Sequence, residues 1–149
     1  MIPNNENYDD ELDEDTVADF SIEAMPSLTY AMNIKDAELD EHKNLFVGKV
    51  DGTEAIRQAV MKILNTERYE YEIYSWDYGI ELQDLYGQPL LYCMSEIKAR
   101  ITEALLADDR IESVENFDVK RTGKRSLLVA FTVVTADQEE IDMESEVEV

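Results

Sequence analysis

Residues Ile63–Pro89 read ILNTERYEYEIYSWDYGIELQDLYGQP, and the fold turns on how this stretch is divided. It opens on the end of an amphipathic helix, continues as alternating aromatic and acidic residues, and tightens at Trp76–Gly79. Tyr69, Tyr71 and Ile73, alternating with Glu70, Glu72 and Tyr74, predict a strand with one aromatic face. In Asp77-Tyr78-Gly79 the glycine is the residue able to take positive φ at a corner. Ile80, Leu82 and Leu85 then mark a short helix that Gly87 ends and Pro89 cannot continue. Five of the eight tyrosines and the single tryptophan lie in this stretch. Tyr71, Trp76 and Tyr78 are expected to pack the underside of the domain, since aromatics dominate cores. The competing reading makes them interface anchors.

Upstream, Ile56, Ala59, Val60, Ile63 and Leu64 recur at helical spacing and predict a helix from Glu54 to Asn65. Thr53 is its expected N-cap, and Glu54 suits the positive end of the helix dipole. Before it, Leu28, Tyr30, Met32 and Ile34 alternate as in a half-buried strand, and Leu45–Val50 forms a second. Downstream, Leu91, Met94, Ile97, Ile101, Ala104 and Leu105 give a second long helix over Leu90–Leu106, with Cys93 and Met94 as packing residues. Ile111–Lys120 reads as a strand with a bulge between Val114 and Phe117. Arg121–Lys124 is a hairpin turn, and Ser126–Thr135 is apolar enough to sit centrally in a sheet.

The last segment resembles an acidic tail only at first sight. Ile141, Met143, Val147 and Val149, with Ser145 filling the row, alternate with Asp142, Glu144, Glu146 and Glu148. This predicts an edge strand with one apolar and one acidic face, whose removal is expected to leave a folded protein. Such an edge discourages uncontrolled pairing, or is reserved for one partner. The fold class is therefore α+β: a small mixed or antiparallel sheet with two long helices and one short one.

The net charge of −22 is uneven. Residues 1–23 carry nine acids and no base, residues 137–149 carry seven acids and no base, and −6 remains for residues 24–136. The expected organisation is an acidic, disordered segment over residues 1–23 and one domain over residues 24–149. The alternation of Asp9, Glu11, Asp13 and Asp15 fails as a calcium loop, because Glu14 and Phe20 stand where glycine and glutamate are needed. The charge opposes nucleic acid and anionic membranes. No apolar run approaches a bilayer span, and no secretory leader is expected at the acidic start.

Chemistry is sparse. Cys93 and His42 are each alone, which leaves no intrachain disulfide, suits a reducing compartment, and gives little material for a metal site or a catalytic triad. No glycine-rich phosphate loop follows a strand. No catalytic, cofactor or metal site is assigned. The remaining catalytic option is a carboxylate pair, Glu70 and Glu72, on one face of the predicted strand. Lys120, Arg121, Lys124 and Arg125 make one basic hairpin, read as a solvated turn or a docking point for an acidic partner.

The residues Asp51-Gly52-Thr53-Glu54-Ala55, Ile63–Arg68, Tyr69–Tyr71, Tyr74–Gly79 and Asp84–Gly87 resemble the sheath initiator, or lysozyme-like baseplate wedge, family of contractile phage tails, in its Gram-positive prophage and tailocin form. The resemblance runs over Pro26–Val149. It implies a fold similar to the sheath C-terminal domain, and a structural, non-enzymatic part present in six copies around the tail. The implied partners are the tail sheath protein, baseplate wedge proteins and tube or hub proteins, without nucleic acid or membrane. The implied location is the host cytoplasm during assembly, then the baseplate. The expected site residues are the edge row Ile141, Met143, Ser145, Val147 and Val149, which would present a strand edge to sheath. They also include the corner Tyr71, Trp76, Asp77, Tyr78 and Gly79 as a wedge interface. Asp108-Asp109-Arg110 stands where relatives carry Glu-Pro-Arg, keeping an acid and the arginine without the proline. The alternatives are a peptidoglycan hydrolase of the tail and an acidic inhibitor of a basic protein.

Overall fold

The computed structural model describes residues 27–32 and 46–149. The acidic segment over residues 1–23, Ile34 and the polar connection after it lie outside the described residues. In chain order the elements are β1 (Thr29–Met32), β2 (Phe46–Val50), α1 (Gly52–Leu64), a 3-10 turn (Gln83–Leu85), α2 (Leu90–Leu105), β3 (Ile111–Arg121), β4 (Ser126–Thr135) and β5 (Glu140–Glu148). The α+β class holds, but the strands form two antiparallel sheets, a pair β1-β2 and a triplet β3-β4-β5. The expected short helix shrinks to the 3-10 turn.

β4 is apolar along its length and takes the middle of the triplet, as expected. β5 pairs with it over nine successive positions, from Ser126↔Glu148 to Val134↔Glu140. The β3–β4 register breaks between Glu115 and Asp118, where Asn116 adopts φ 53°. That is the bulge expected between Val114 and Phe117, and an extra residue there bends the strand. Asn116 Nδ2 donates to Thr132 Oγ1 (3.4 Å), which in turn donates to Asp142 Oδ1 (2.9 Å), linking all three strands on one face.

On the opposite face Leu127, Val129, Phe131 and Val133 join Ile141, Met143, Val147 and Val149 under the helices. α1 contributes Ile56, Val60 and Ile63; α2 contributes Cys93, Ile97, Ile101, Ala104 and Leu105. One continuous core results, with Ile80 and Leu85 closing its end. Two expectations are corrected here. Leu91, expected on the apolar stripe of α2, is 84% exposed, because Leu90 and Cys93 are the residues of the first turn that face the core and Leu91 points to one side of them. The apolar row of β5 forms part of the core floor, so removing Ile141–Val149 would expose that core and is expected to unfold the protein, against the expectation from sequence.

α1 is capped by Asp51, whose carboxylate accepts from Gly52 N–H (2.8 Å), and not by Thr53, which lies inside the helix. The β1-β2 pair is tied to α1 through Gln58, which bonds both Met32 N–H and the Tyr30 carbonyl. Among the described residues no helix is long and apolar enough to cross a membrane.

Candidate functional site

The expected strand over Tyr69–Tyr74 does not form. A strand needs a neighbour to satisfy its backbone. Here Tyr69 takes φ 67°, and Tyr74 N–H and Tyr78 N–H bond back to the Tyr71 and Ser75 carbonyls as turns. The chain is pinned where the loop begins and ends. Arg68 N–H donates to the Ile80 carbonyl (3.0 Å) and Ile80 N–H to the Thr66 carbonyl (2.9 Å). The buried Arg68 side chain adds a bond to the Gly79 carbonyl (3.1 Å) and an ion pair with Glu103 (2.9 Å). Gly79, at φ 97°, lies so close that an added Cβ would stand 2.6 Å from the Thr66 carbonyl oxygen. The Glu67 carboxylate accepts from Leu82 and Gln83 N–H and starts the 3-10 turn. Residues 68–79 are thus a closed loop with a rigid neck.

The rings of this loop pack on one another and leave faces open. Tyr74 stacks on Tyr78 with centroids 4.5 Å apart, and Tyr69 meets Trp76 edge-on at 6.0 Å. Trp76 and Ile73 are each 86% exposed, and Tyr69 and Tyr71 are exposed as well. Of the three aromatics expected in the core, only Tyr78 is half-buried. Ile73, Tyr69 and Tyr74 belong to the same surface and were missed as site residues, because strand periodicity assigned them faces that do not exist. Glu70 and Glu72 stand exposed on this loop and not on one strand face, so the geometric basis for a catalytic pair is lost.

Beneath the loop a cleft of about 320 Å³ is lined by Asp77 and Tyr78 together with Asp108, Asp109 and Arg110. Two stretches about 30 residues apart in sequence therefore share one wall. Arg110 grips Asp108 with a fork, Nε to Oδ1 at 2.8 Å and a second nitrogen to Oδ2 at 2.6 Å. Its backbone N–H adds a third bond to Oδ1 (3.1 Å). Burial acts to raise the Asp108 pKa, but these bonds and the adjacent charge outweigh it and hold the carboxyl below the ordinary aspartate value. Burial, then the neighbouring Tyr74 and Asp108, push the Tyr78 hydroxyl upward. The pair is an internal clamp at the start of β3, and Asp109 remains exposed beside it. Among the described residues no group of three or more histidine, cysteine or carboxylate side chains is placed to hold a metal ion.

The second surface is the outer edge of β5. Antiparallel partners alternate between pairs that exchange both backbone bonds and pairs that exchange none. Val149 N–H donates to the Arg125 carbonyl (2.8 Å) and Thr135 N–H to the Glu139 carbonyl (2.9 Å), so the bonded positions here are odd-numbered. The backbone groups of Glu140, Asp142, Glu144, Glu146 and Glu148 consequently point away from β4. Arg57 of α1 reaches the Asp142 carbonyl at 2.8 Å. Among the described residues nothing bonds the outward groups of Glu144, Glu146 and Glu148. The expected row Ile141, Met143, Ser145, Val147 and Val149 points inward, Ser145 half-buried and the others buried. The open feature is the backbone beside it.

A small α+β domain that displays rings on a rigid loop and unpaired backbone on a sheet edge is of the binding-module class. Residues 28–138 match the family model for the contractile injection system sheath initiator, and the chain belongs to that family. It is also a homologue of the phage-like element PBSX protein XkdS of Bacillus subtilis (strain 168), at 44% identity over 89 residues. That alignment covers 58% of this chain and 62% of XkdS, less than two thirds of the relative's length. The family match is narrower than Pro26–Val149 and ends before β5 begins, so the strand edge is described from this chain's own geometry.

Proposed function

We propose that this chain starts sheath assembly at the baseplate of a phage-tail-like particle by taking a strand of the first-ring sheath subunit onto the edge of β5. The observation that carries the reading is the unpaired backbone of Glu144, Glu146 and Glu148 on a regular strand. Strand addition draws affinity from backbone bonds and register from alternating side chains. The other edge of the sheet, β3, is broken by its bulge at Asn116 and suits a partner less well. In this reading the aromatic loop over Tyr71, Trp76 and Tyr78 docks on a baseplate wedge protein, as exposed Trp and Tyr do at interface hot spots. Six copies around the tail repeat both contacts, beside tube or hub proteins, first in the host cytoplasm and then in the particle.

Deleting β5 would test folding more than function. Glu146→Pro is cleaner, because it removes an N–H that β4 does not use, and proline is tolerated at such edge positions. The variant is expected to fold, to enter baseplates, and to leave them without sheath. Particles with sheaths of normal length would refute strand addition at β5.

A further inference from the structure

The free edge constrains the sequence of the strand it receives. Side chains of Glu144, Glu146 and Glu148 share one face of β5, about 6.8 Å apart along the strand. None of them is in an ion pair among the described residues. Across the sheet Lys120 lies within the field of Glu144 but is ion-paired with Asp118, Thr122 Oγ1 gives Glu146 one neutral hydrogen bond (3.2 Å), and Arg57 is engaged by Glu54 and the Asp142 carbonyl. The alternate residues Ser145, Val147 and Val149 lie on the core face. A strand laid against this edge places every second side chain beside an acid and the remainder beside the apolar row. Opposite charges across neighbouring strands stabilise pairing, and like charges oppose it.

Resting on the strand-addition reading above, we infer that the received strand alternates lysine or arginine with apolar residues. Its basic side chains lie beside Glu144, Glu146 and Glu148, and its apolar ones continue the row of Ser145, Val147 and Val149. The occupant comes from another protein. Residues 1–23 and 137–149 of this chain carry no base, and residues 120–125 are basic without apolar alternates. Arg57 on the Asp142 carbonyl sets one end of the footprint, leaving Glu144–Glu148 as the length read.

The test uses the full chain and labelled nine-residue peptides, with binding read by fluorescence anisotropy at about 0.15 M salt. One peptide alternates Lys and Val, one alternates Glu and Val, and one has the Lys-Val composition in two blocks. The alternating Lys-Val peptide is expected to bind about tenfold tighter than either control. A chain carrying Glu144→Lys, Glu146→Lys and Glu148→Lys, all exposed positions outside the core, is expected to invert that preference. Full N-methylation of the Lys-Val backbone is expected to abolish binding. Equal binding of the block peptide, or of the Glu-Val peptide, overturns the alternation while strand addition stands, provided N-methylation still abolishes it. Unchanged binding of the N-methylated peptide overturns strand addition itself. A concentration-dependent dimer of the chain, lost in Glu146→Pro, assigns the edge to a second copy and overturns the heterologous partner.

Discussion

Arg57 on α1 donates from Nη1 to the backbone carbonyl of Asp142 on β5, 2.8 Å away, and the same nitrogen lies 3.6 Å from the Met143 sulfur. One helix residue thereby closes the first part of a sheet edge and leaves the rest open. The contact sits on an outward carbonyl, so it competes directly with any strand that would pair further toward Glu140. Arg57→Ala is expected to cost about 1 kcal/mol of stability, the scale of one partly exposed charged hydrogen bond, in urea unfolding. Its surface pair with Glu54 adds little. The same variant should bind an extended basic strand more tightly, because two further residues of edge become available. Weaker binding would show that Arg57 belongs to the partner's footprint.

Gly79 and Gly87 both have positive φ, 97° and 82°, but their surroundings differ. A Cβ at Gly87 meets nothing within 4 Å, whereas at Gly79 it would stand 2.6 Å from the Thr66 carbonyl, a backbone atom fixed by its bond from Ile80. Gly87→Ala is expected to cost about 1 kcal/mol from backbone strain alone. Gly79→Ala should cost about 2–4 kcal/mol, with loss of amide-exchange protection at Arg68 and Ile80. Equal costs for the two would show that the neck of the loop gives way easily.

What was legible in the sequence follows from which interactions are local. Ile56, Val60 and Ile63, like Ile97, Ile101 and Leu105, each bury one helical face, and spacing alone reveals that. The bulge at Asn116 was readable because Val114 and Phe117 fall out of phase with a two-residue period. Tyr69–Tyr74 misled for the converse reason. Its alternation was real, but a strand exists only beside a neighbour, and Gly79 and Arg68 close this backbone into a loop instead. The cleft uniting Asp77 and Tyr78 with Asp108–Arg110 had no local signal, since it arises from docking the loop against the end of α2. Arg57 looked like any polar residue on the exposed side of α1.

Trp76 offers a direct separation of folding from binding. Its side chain is 86% exposed and touches the fold chiefly through an edge contact with Tyr69. Trp76→Ala should therefore change stability by less than about 0.5 kcal/mol, as surface substitutions generally do. If the loop is the wedge contact, the same change should weaken association by about 2 kcal/mol or more in a pull-down titration against the baseplate. A loss of stability with unchanged association would return the ring to a packing role.

The Asp108–Arg110 clamp predicts a pH dependence whose sign is fixed. Partnering with Arg110 outweighs burial and leaves the folded carboxyl below its ordinary value of 3.8. A group with a depressed folded pKa contributes stability that is present above the unfolded pKa and is lost as pH falls through the folded one. The contribution should thus be complete at neutral pH and fade only below about pH 4. Asp108→Asn should lower stability at pH 7, because Arg110 keeps its partly buried charge without a carboxylate to answer it. The penalty should shrink toward pH 3, where the wild-type carboxyl is itself becoming neutral. Chemical unfolding of both proteins between pH 3 and pH 7 reads this as two converging curves. Parallel curves would mean that Asp108 acts through its shape and hydrogen bonds alone.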